Sequence, residues 1–530
     1  MKLLTPFVAW IWVGFVAIAT APAGPPCPAS PVVLASPSPG AGDLFGASLA
    51  GEAASLIVGS RGASSGGAPF AGSVGVFRLQ AGQWVLAQQL AALTPSANEQ
   101  FGFALSLDRD RLVVGAPNSD LAGLDQGAAF VFRRLSADAP WELEATLLPM
   151  ADSVAEAFGR SVACEGSRIA IGAPQHPGGG RVYVFDRNPL SGQYEVTIPT
   201  LPGGVSRGFS MALSGARLVV GDPSAERVEV LLAGSTGWSL EQTLTDSSGG
   251  ANPAAFGAAV AIRGTEVFVG APLRDLAPGD DRGGVHRFWL DGDQWEPGEI
   301  LISTDPRVQQ LGRSLVTSEG LLVAGAPATS NHLGQSFVGG AVLFRRPPGD
   351  AQWLESDVFQ DADGEFLDEA GSAVTVGPSF VALGAPLHDV PGAFSSGVVQ
   401  VFARSEVDCD GNGIADFCEL VTNPVADVTE DGVLDVCQQF RRGDVNASGM
   451  VSFPDVVDLL LYLFSEARVV LQCEDACDGN DDGRLNLADA VVLLNYLFLM
   501  ASPPPPSPGP WQCGTDPTPD VLGCIAPMGC

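Results

Sequence analysis

The sequence predicts an all-β, seven-bladed β-propeller followed by a small α-helical domain built on two cation-binding loops. Three observations carry this reading. A Phe-Gly … Gly-Ala-Pro pattern returns seven times at a fixed internal interval in the first three-quarters of the chain. Gly (65) and Pro (41) make up a fifth of the 530 residues, a composition that suits short strands and turns rather than long helices. Beyond residue 405 the chain turns acidic and Cys-rich: 21 acidic against 4 basic residues, and eight of the ten Cys. Before that point the acidic and basic counts are 39 and 23. The break marks a domain boundary, with cation binding expected behind it.

Residues 1–23 read as an export signal. Lys2 supplies a positive start, Phe7 to Ala19 is apolar, and Ala21-Pro22-Ala23 has the small-x-small form of a cleavage site. No later stretch is long and apolar enough to span a membrane. The expected product is secreted, extracellular or cell-surface associated, in a setting that permits disulfides. A formal charge of −33 argues against nucleic acid as a partner, since phosphate binding needs clustered Lys and Arg.

Residues 24–405 form the repeat region. Phe101-Gly102 precedes Gly115-Ala116-Pro117, with 14 positions from Phe to the second Gly. The interval recurs from Phe158 to Gly172 and from Phe256 to Gly270, and degenerate copies keep it from Phe45 to Gly59, Arg207 to Gly221, Leu311 to Gly325 and Ala370 to Gly384. Each copy predicts four strands: one from the Phe-Gly pair, an apolar one ending at Gly-x-Pro, an alternating one after a Gly such as 127–133 or 180–186, and one beginning at an aromatic such as Trp84, Trp141 or Trp295. Four strands at a period near 50 describe propeller blades. The seventh copy lacks its fourth strand, and an orphan apolar run, 31–35, precedes the first copy. The expectation is ring closure, with 31–35 completing the last blade and hiding a sheet edge. The loops after Gly-x-Pro should share one face and form an uneven rim, low at the third and fourth copies.

These copies resemble the FG-GAP repeats of integrin α-subunit propellers, and more closely their bacterial extracellular relatives. The resemblance implies adhesion or recognition by the propeller. Calcium-binding integrin repeats carry an Asp-rich loop between the two motifs; here that stretch is short, as in Leu107-Asp108-Arg109-Asp110-Arg111, so those calcium sites are not expected.

Residues 441–500 hold two registered loops. The first places Asp444, Asn446, Ser448 and Asp455 at positions 1, 3, 5 and 12, with Gly449 at 6, the Met450 carbonyl at 7 and Ser452 at 9. The second places Asp478, Asn480, Asp482 and Asp489 at the same positions, with Gly483, the Arg484 carbonyl and Asn486. This is the calcium loop of an EF-hand: a hard cation surrounded by oxygens on a turn that Gly permits. Each loop runs into a helix, 459–464 or 493–498, without room for a normal incoming helix. The pair resembles a type I dockerin, which implies calcium as cofactor and a cohesin-like or other cell-surface or matrix protein as partner. Dockerins carry hydroxyl residues at loop positions 10 and 11; this chain has Phe453-Pro454 and Leu487-Ala488, a departure from the standard cohesin contact. Loop two, with three carboxylates against two in loop one, should fill first.

Residues 406–440 contain two shorter Asp runs, Asp408, Asp410, Asn412 and Asp416, then Asp427, Thr429, Asp431 and Asp435. They resemble thrombospondin type 3 calcium repeats, which implies a calcium-stiffened linker. Residues 501–530 form a Pro-rich tail with Cys513, Cys524 and Cys530, whose pairing is left open.

Several signals are read as incidental. Gly62-Ala63-Ser64-Ser65-Gly66 follows a propeller strand rather than opening a helix. Arg442-Gly443-Asp444 commits Asp444 to the first loop. Asn446-Ala447-Ser448 is a glycosylation sequon that also supplies ligand positions. His176, His332 and His388 follow Gly-Ala-Pro corners and are expected on the surface. No catalytic constellation is found. The favoured function is a secreted, calcium-binding, non-enzymatic recognition or adhesion protein, with a possible glycan or protein ligand on the propeller face. One alternative is a component of extracellular polysaccharide degradation with glycoside hydrolase-type activity; another is a structural envelope protein.

Overall fold

The computed structural model describes residues 31–404 apart from 53, 81, 137–138, 151–154, 202, 236, 247–252, 278, 319, 347–351 and 361–363; then 420, 434, 437–438, 440–464, 471, 473–499, 502–516, 522 and 524. The export segment and all eight ligand positions of the 406–440 segment (Asp408, Asp410, Asn412, Asp416, Asp427, Thr429, Asp431 and Asp435) lie outside the described residues.

Seven four-stranded antiparallel sheets form the ring. Six are consecutive meanders. The seventh takes three strands from 373–403 and its fourth from the start of the chain: Val32–Ala35 pairs antiparallel with Val398–Ala403, with Val32 opposite Val401 and Leu34 opposite Val399. The orphan run therefore closes the ring as its sequence position implies.

The second strand of each blade is the most deeply placed. Ser55–Ser60 and Arg111–Ala116 are buried at every residue, as expected of a continuous apolar run covered on both sides. Its packing partners lie largely in the neighbouring blade. One cluster joins Ile57 and Val76 of blade one to Phe101, Leu112, Phe130 and Trp141 of blade two, and another joins Leu34, Phe380 and Val401 of blade seven to Phe45, Val58 and Phe77 of blade one. The core is thus a series of blade-to-blade seams.

The repeated motif is explained by one contact. The Gly of each Gly-x-Pro lies against the backbone of the next blade's Phe-Gly turn. A methyl group on Gly115 would overlap the carbonyl oxygen of Gly159, and one on Gly384 would overlap that of Gly46 across the closure. All seven copies repeat this approach. The Phe-Gly glycines have φ between 82° and 93°, a conformation that costs a side-chain-bearing residue. Both glycines of the pattern are therefore demanded by backbone geometry, whereas the Phe is replaceable by Arg207, Leu311 or Ala370. Ser48, Ser161, Ser210 and Ser314 add hydroxyl donation to the same carbonyl of the next blade, at 2.7, 2.6, 2.8 and 2.8 Å. On the outer strands Gln242 clamps the Trp295 backbone, donating to its carbonyl and accepting from its amide at 2.8 Å each. Gln88 does the same to Trp141 at 2.9 and 2.8 Å.

The C-terminal module has helices α1 (Phe453–Phe464), α2 (Glu474–Cys477) and α3 (Leu487–Phe498). Val456 and Leu459 of α1 pack with Ala490 and Leu493 of α3 over Val445, Leu471 and Cys477. The tail folds onto this unit. Phe440 and Gly514 exchange two backbone hydrogen bonds, Tyr496 meets Trp511 edge-on at 5.8 Å, and a disulfide joins Cys473 to Cys524. Leu420 and Leu434 pack on Ala54 and Leu79 of blade one. Among the described residues no helix is long and apolar enough to cross a membrane.

Candidate functional site

The strands are antiparallel, so the loops after Gly-x-Pro and the approaches to each Phe-Gly emerge on one face. Hydrogen bonds tie them together there: the amide of Phe158 donates to Gln126, that of Gln175 to Glu156, and that of Gly42 to Phe394. Buried carboxylates reinforce the junctions. Glu99 accepts from the Ser96 amide and the Ser119 hydroxyl at 3.1 and 2.9 Å, and Asp222 from the amides of Val205 and Ser206 at 3.0 and 2.8 Å. Asp43, Glu99, Glu156 and Asp368 all stand two residues ahead of a repeat's first motif. Burial raises the pKa of Asp43 and Glu99.

Two of the three corner histidines are drawn inward by these acids, contrary to the surface setting expected for them. His176 lies 3.9 Å from Glu156 and His388 lies 3.1 Å from Asp368, with both carboxylates buried. His332 is exposed. The reason is the acid beneath each corner, a regularity visible in the sequence only once the repeats are aligned.

The rim is uneven, as the loop lengths imply. After Pro223 the chain makes only a 3-10 turn, Pro223–Ala225, while longer loops lift Leu124, Leu333 and Phe394 into solvent at 77, 71 and 76% exposure. Phe70 and Phe366 are exposed on the same face.

Inside the rim lies the mouth of the ring axis, a cavity of about 260 Å³. Its lining includes the residue that follows the first-motif Gly in every copy: Ala47, Phe103, Arg160, Phe209, Ala258, Arg313 and Ser372. Arg61 and Glu369 complete its charged groups. The Arg160 guanidinium stacks between Phe103 and Phe209, 4.4 and 5.0 Å from the ring centres, and Arg61 covers Phe103 at 4.9 Å. Burial, with Arg61 and Arg313 nearby, lowers the pKa of Arg160 to about 10. Burial raises that of Glu369, against the pull of Arg313 and Arg61. Sequence reasoning missed this cluster, although the position after each Phe-Gly was available to find it. Further along the axis the innermost strands line a second cavity of about 340 Å³ that includes Cys164, whose thiol burial pushes up to about 12.

On the opposite face the turns between the first and second strands are short. Asp108 pairs with Arg111, and Arg263 with Glu266, across two-residue turns.

In the C-terminal module the paired loops have matching geometry. Asp444 is buried and accepts the amides of Ser448 and Gly449 at 2.9 and 2.8 Å. Asp455 is buried and accepts those of Asn446 and Ser452 at 3.1 and 2.8 Å. Asp478 and Asp489 repeat the pattern with Asp482, Gly483, Asn480 and Asn486 at 3.2, 2.7, 3.4 and 2.8 Å. The Ser448 hydroxyl lies 3.3 Å from Asp444 and 3.2 Å from the Met450 carbonyl, gathering positions 1, 5 and 7. Asp482 and Arg484 are exposed, and the Asn486 side chain caps α3 by accepting the Ala488 amide at 2.8 Å. Two features fit a cation. The Asn480 side-chain oxygen is buried with no hydrogen-bond partner. Burial and the adjacent Asp478 carboxylate raise the pKa of Asp489 to about 6. Both are strains that a bound cation relieves.

Arg442 is fully buried. It meets Asp481 and Asp516 at 2.8 and 2.7 Å and donates to the carbonyls of Asp475 and Asp478. The Arg-Gly-Asp sequence is therefore structural in this fold.

The FG-GAP repeat family matches residues 84–132, 141–185 and 238–288. The chain carries FG-GAP repeats, and they form a seven-bladed propeller. No curated protein matches the chain. Among solved structures, it is similar to a candidate 6-phosphogluconolactonase from Bacteroides uniformis, at 13% identity and a TM-score of 0.44 over 67% of this chain and 93% of the other. A second such protein, from Bacteroides fragilis, is similar at 11% and 0.42, over 66 and 91%. A functionally unknown protein from Desulfotomaculum acetoxidans is similar at 10% and 0.40, over 59 and 86%.

Proposed function

We propose that this is a secreted, bacterial, calcium-binding recognition protein without catalytic activity, in which the propeller face takes the ligand and the dockerin-like module attaches the chain to a surface or matrix protein. The observation that carries the recognition half is the rim. Exposed Phe70, Leu124, Leu333 and Phe394 stand on loops held by a rigid ring, where apolar exposure marks an interaction surface.

The attachment half is supported by the paired helices. Calcium would be held by Asp444, Asn446, Ser448, Asp455 and the Met450 carbonyl in loop one, with Ser452 at position 9. Loop two would use Asp478, Asn480, Asp482, Asp489 and the Arg484 carbonyl, with Asn486 at position 9. When bound, calcium neutralises the crowded carboxylates and fixes each loop against its helix. That orientation presents an apolar stripe on α1, Phe453, Val457, Leu461 and Phe464, and a counterpart on α3, Leu487, Val491 and Phe498, all exposed. Phe453 and Leu487 occupy the loop position where dockerins carry a hydroxyl, so the partner surface should be apolar rather than a standard cohesin face.

The test uses the full chain immobilised in calcium or in EDTA. It is presented with the envelope fraction of the producing cell and with a glycan array. The reading expects a defined partner retained in calcium, lost in EDTA and lost in Phe453→Asp with Leu487→Asp, while array binding survives both. Retention that ignores EDTA and both substitutions would overturn the attachment role, and a blank array with no protein retained by the propeller would overturn the recognition role.

A further inference from the structure

The mouth of the ring axis has a charge opposite to that of the molecule around it. The chain carries 60 acidic and 27 basic residues, yet the charged groups lining this cavity are three arginines, Arg61, Arg160 and Arg313, and one carboxylate, Glu369. They come from blades one, three, six and seven and meet only because the ring closes. We propose that this mouth is a binding site for the carboxylate group of a small organic anion. This deepens the recognition reading above by naming the chemistry that the propeller face takes.

Four features support it. First, stacking spends the faces of the guanidinium groups and leaves their N–H edges available. Arg160 and Arg61 lie over Phe103, and Arg160 also over Phe209, and Arg61 Nε is buried with no hydrogen-bond partner. Planar forks held in this way are preorganised for a carboxylate. Second, three like charges in a partly enclosed space repel one another, and one glutamate offsets only one of them. An incoming anion relieves what remains. Third, about 260 Å³ lies just below the usual range of drug-sized pockets, which limits the occupant to a group such as a single sugar ring or one acidic side chain. Fourth, the exposed apolar rim surrounds the mouth, so a larger ligand carrying the carboxylate can rest on the loops while its charged group enters the axis.

The test is calorimetric titration of the full chain in calcium with three probes: glucuronate, N-acetylglutamate amide and, as the neutral control, glucose. The expected result is binding of one or both carboxylates and none of glucose. Arg160→Met and Arg313→Gln should each weaken it by roughly tenfold or more, the loss of a charge-assisted contact. Glu369→Gln should tighten it several-fold by removing the competing negative charge. Arg313 stacks on no ring among the described contacts, so Arg313→Gln keeps the test valid if Arg160→Met fails to fold, which the melting temperature reports. The tighter carboxylate arm identifies a sugar acid or a protein side chain as the source, and equal affinity identifies a site that reads the carboxylate alone. Glucose binding as well as the carboxylates, no binding of either carboxylate, or weaker binding in Glu369→Gln would overturn the proposal. Because the probes are small and pure, this result does not depend on whether a cellular partner is captured.

Discussion

The propeller and the C-terminal module manage negative charge in opposite ways. In the propeller, the buried Glu99 and Asp222 and the half-buried Glu226 each accept two or more hydrogen bonds, so each acts as a tie between loops. In the module, Asp478 and Asp489 are placed against each other, and the Asn480 side-chain oxygen has no donor. The first arrangement is complete as it stands. In the second, each carboxylate also accepts two backbone amides, yet Asp478 still crowds Asp489 and the Asn480 oxygen has no hydrogen-bond partner. The lesson is that acidic content alone says little about metal dependence; what matters is whether the carboxylates stand apart, each with its own donors, or crowd one another.

The largest effect expected from breaking this contrast lies in the propeller. Deleting residues 31–36 removes the strand paired with Val398–Ala403 and reopens the ring. The loss should be a large fraction of the ~5–15 kcal/mol that holds a typical domain, seen as lost solubility and a much lower melting temperature, equally with and without calcium. A deletion variant as stable as the parent would show that closure is dispensable.

Next comes the module. Asp478→Ala should prevent ordering of residues 441–500 at calcium levels where Asp444→Ala still leaves α3 formed, because loop two offers the larger carboxylate set. A calcium titration followed by tryptophan fluorescence at Trp511, which packs on Tyr496 of α3, checks the order. Equal losses from the two variants would remove the asymmetry.

A third difference is pH response. His286 in blade five is buried, and burial lowers its pKa from 6.5 to about 4, despite Asp246 nearby. A base depressed in the folded state contributes stability above about pH 6.5 and loses it as the pH falls towards 4. The full effect is about 3 kcal/mol. His286→Gln should flatten the fall in propeller melting temperature between those limits, and an unchanged slope would assign the acid sensitivity elsewhere.

The smallest effect separates seam from strand. Gln242→Ala removes two hydrogen bonds to the Trp295 backbone and should cost about 1–2 kcal/mol without altering the module. Chemical denaturation of the propeller transition measures it, and an unchanged midpoint would mean that water replaces the clamp fully.

Much of the propeller was legible in the sequence because its motif is a backbone requirement. Gly115 and Gly159 must be glycine for two blades to approach, so the interval survives even where Phe becomes Ala370 or Arg207. Closure was legible because a strand was missing at one end and spare at the other. The charged mouth was not, since Arg61, Arg160 and Arg313 are far apart in the chain and only ring symmetry brings them together. The packing of the tail was also hidden. The contact of Phe440 with Gly514 and the choice of Cys524 as partner of Cys473 depend on where the loops stop, which no local pattern encodes. The paired loops were legible by residue type and spacing as matching turns that each run into a helix, while the unpartnered Asn480 oxygen of the second loop emerges only in three dimensions.

Differential scanning calorimetry of the intact chain, at increasing calcium and in EDTA, separates a self-sufficient ring from a cation-dependent module. Two transitions are expected: a module transition that rises with the logarithm of free calcium and is lost in EDTA, and a propeller transition that stays in place. A module transition that ignores calcium would show that the paired loops fold without a cation, and a propeller transition that moves with calcium would show that the ring is not self-sufficient.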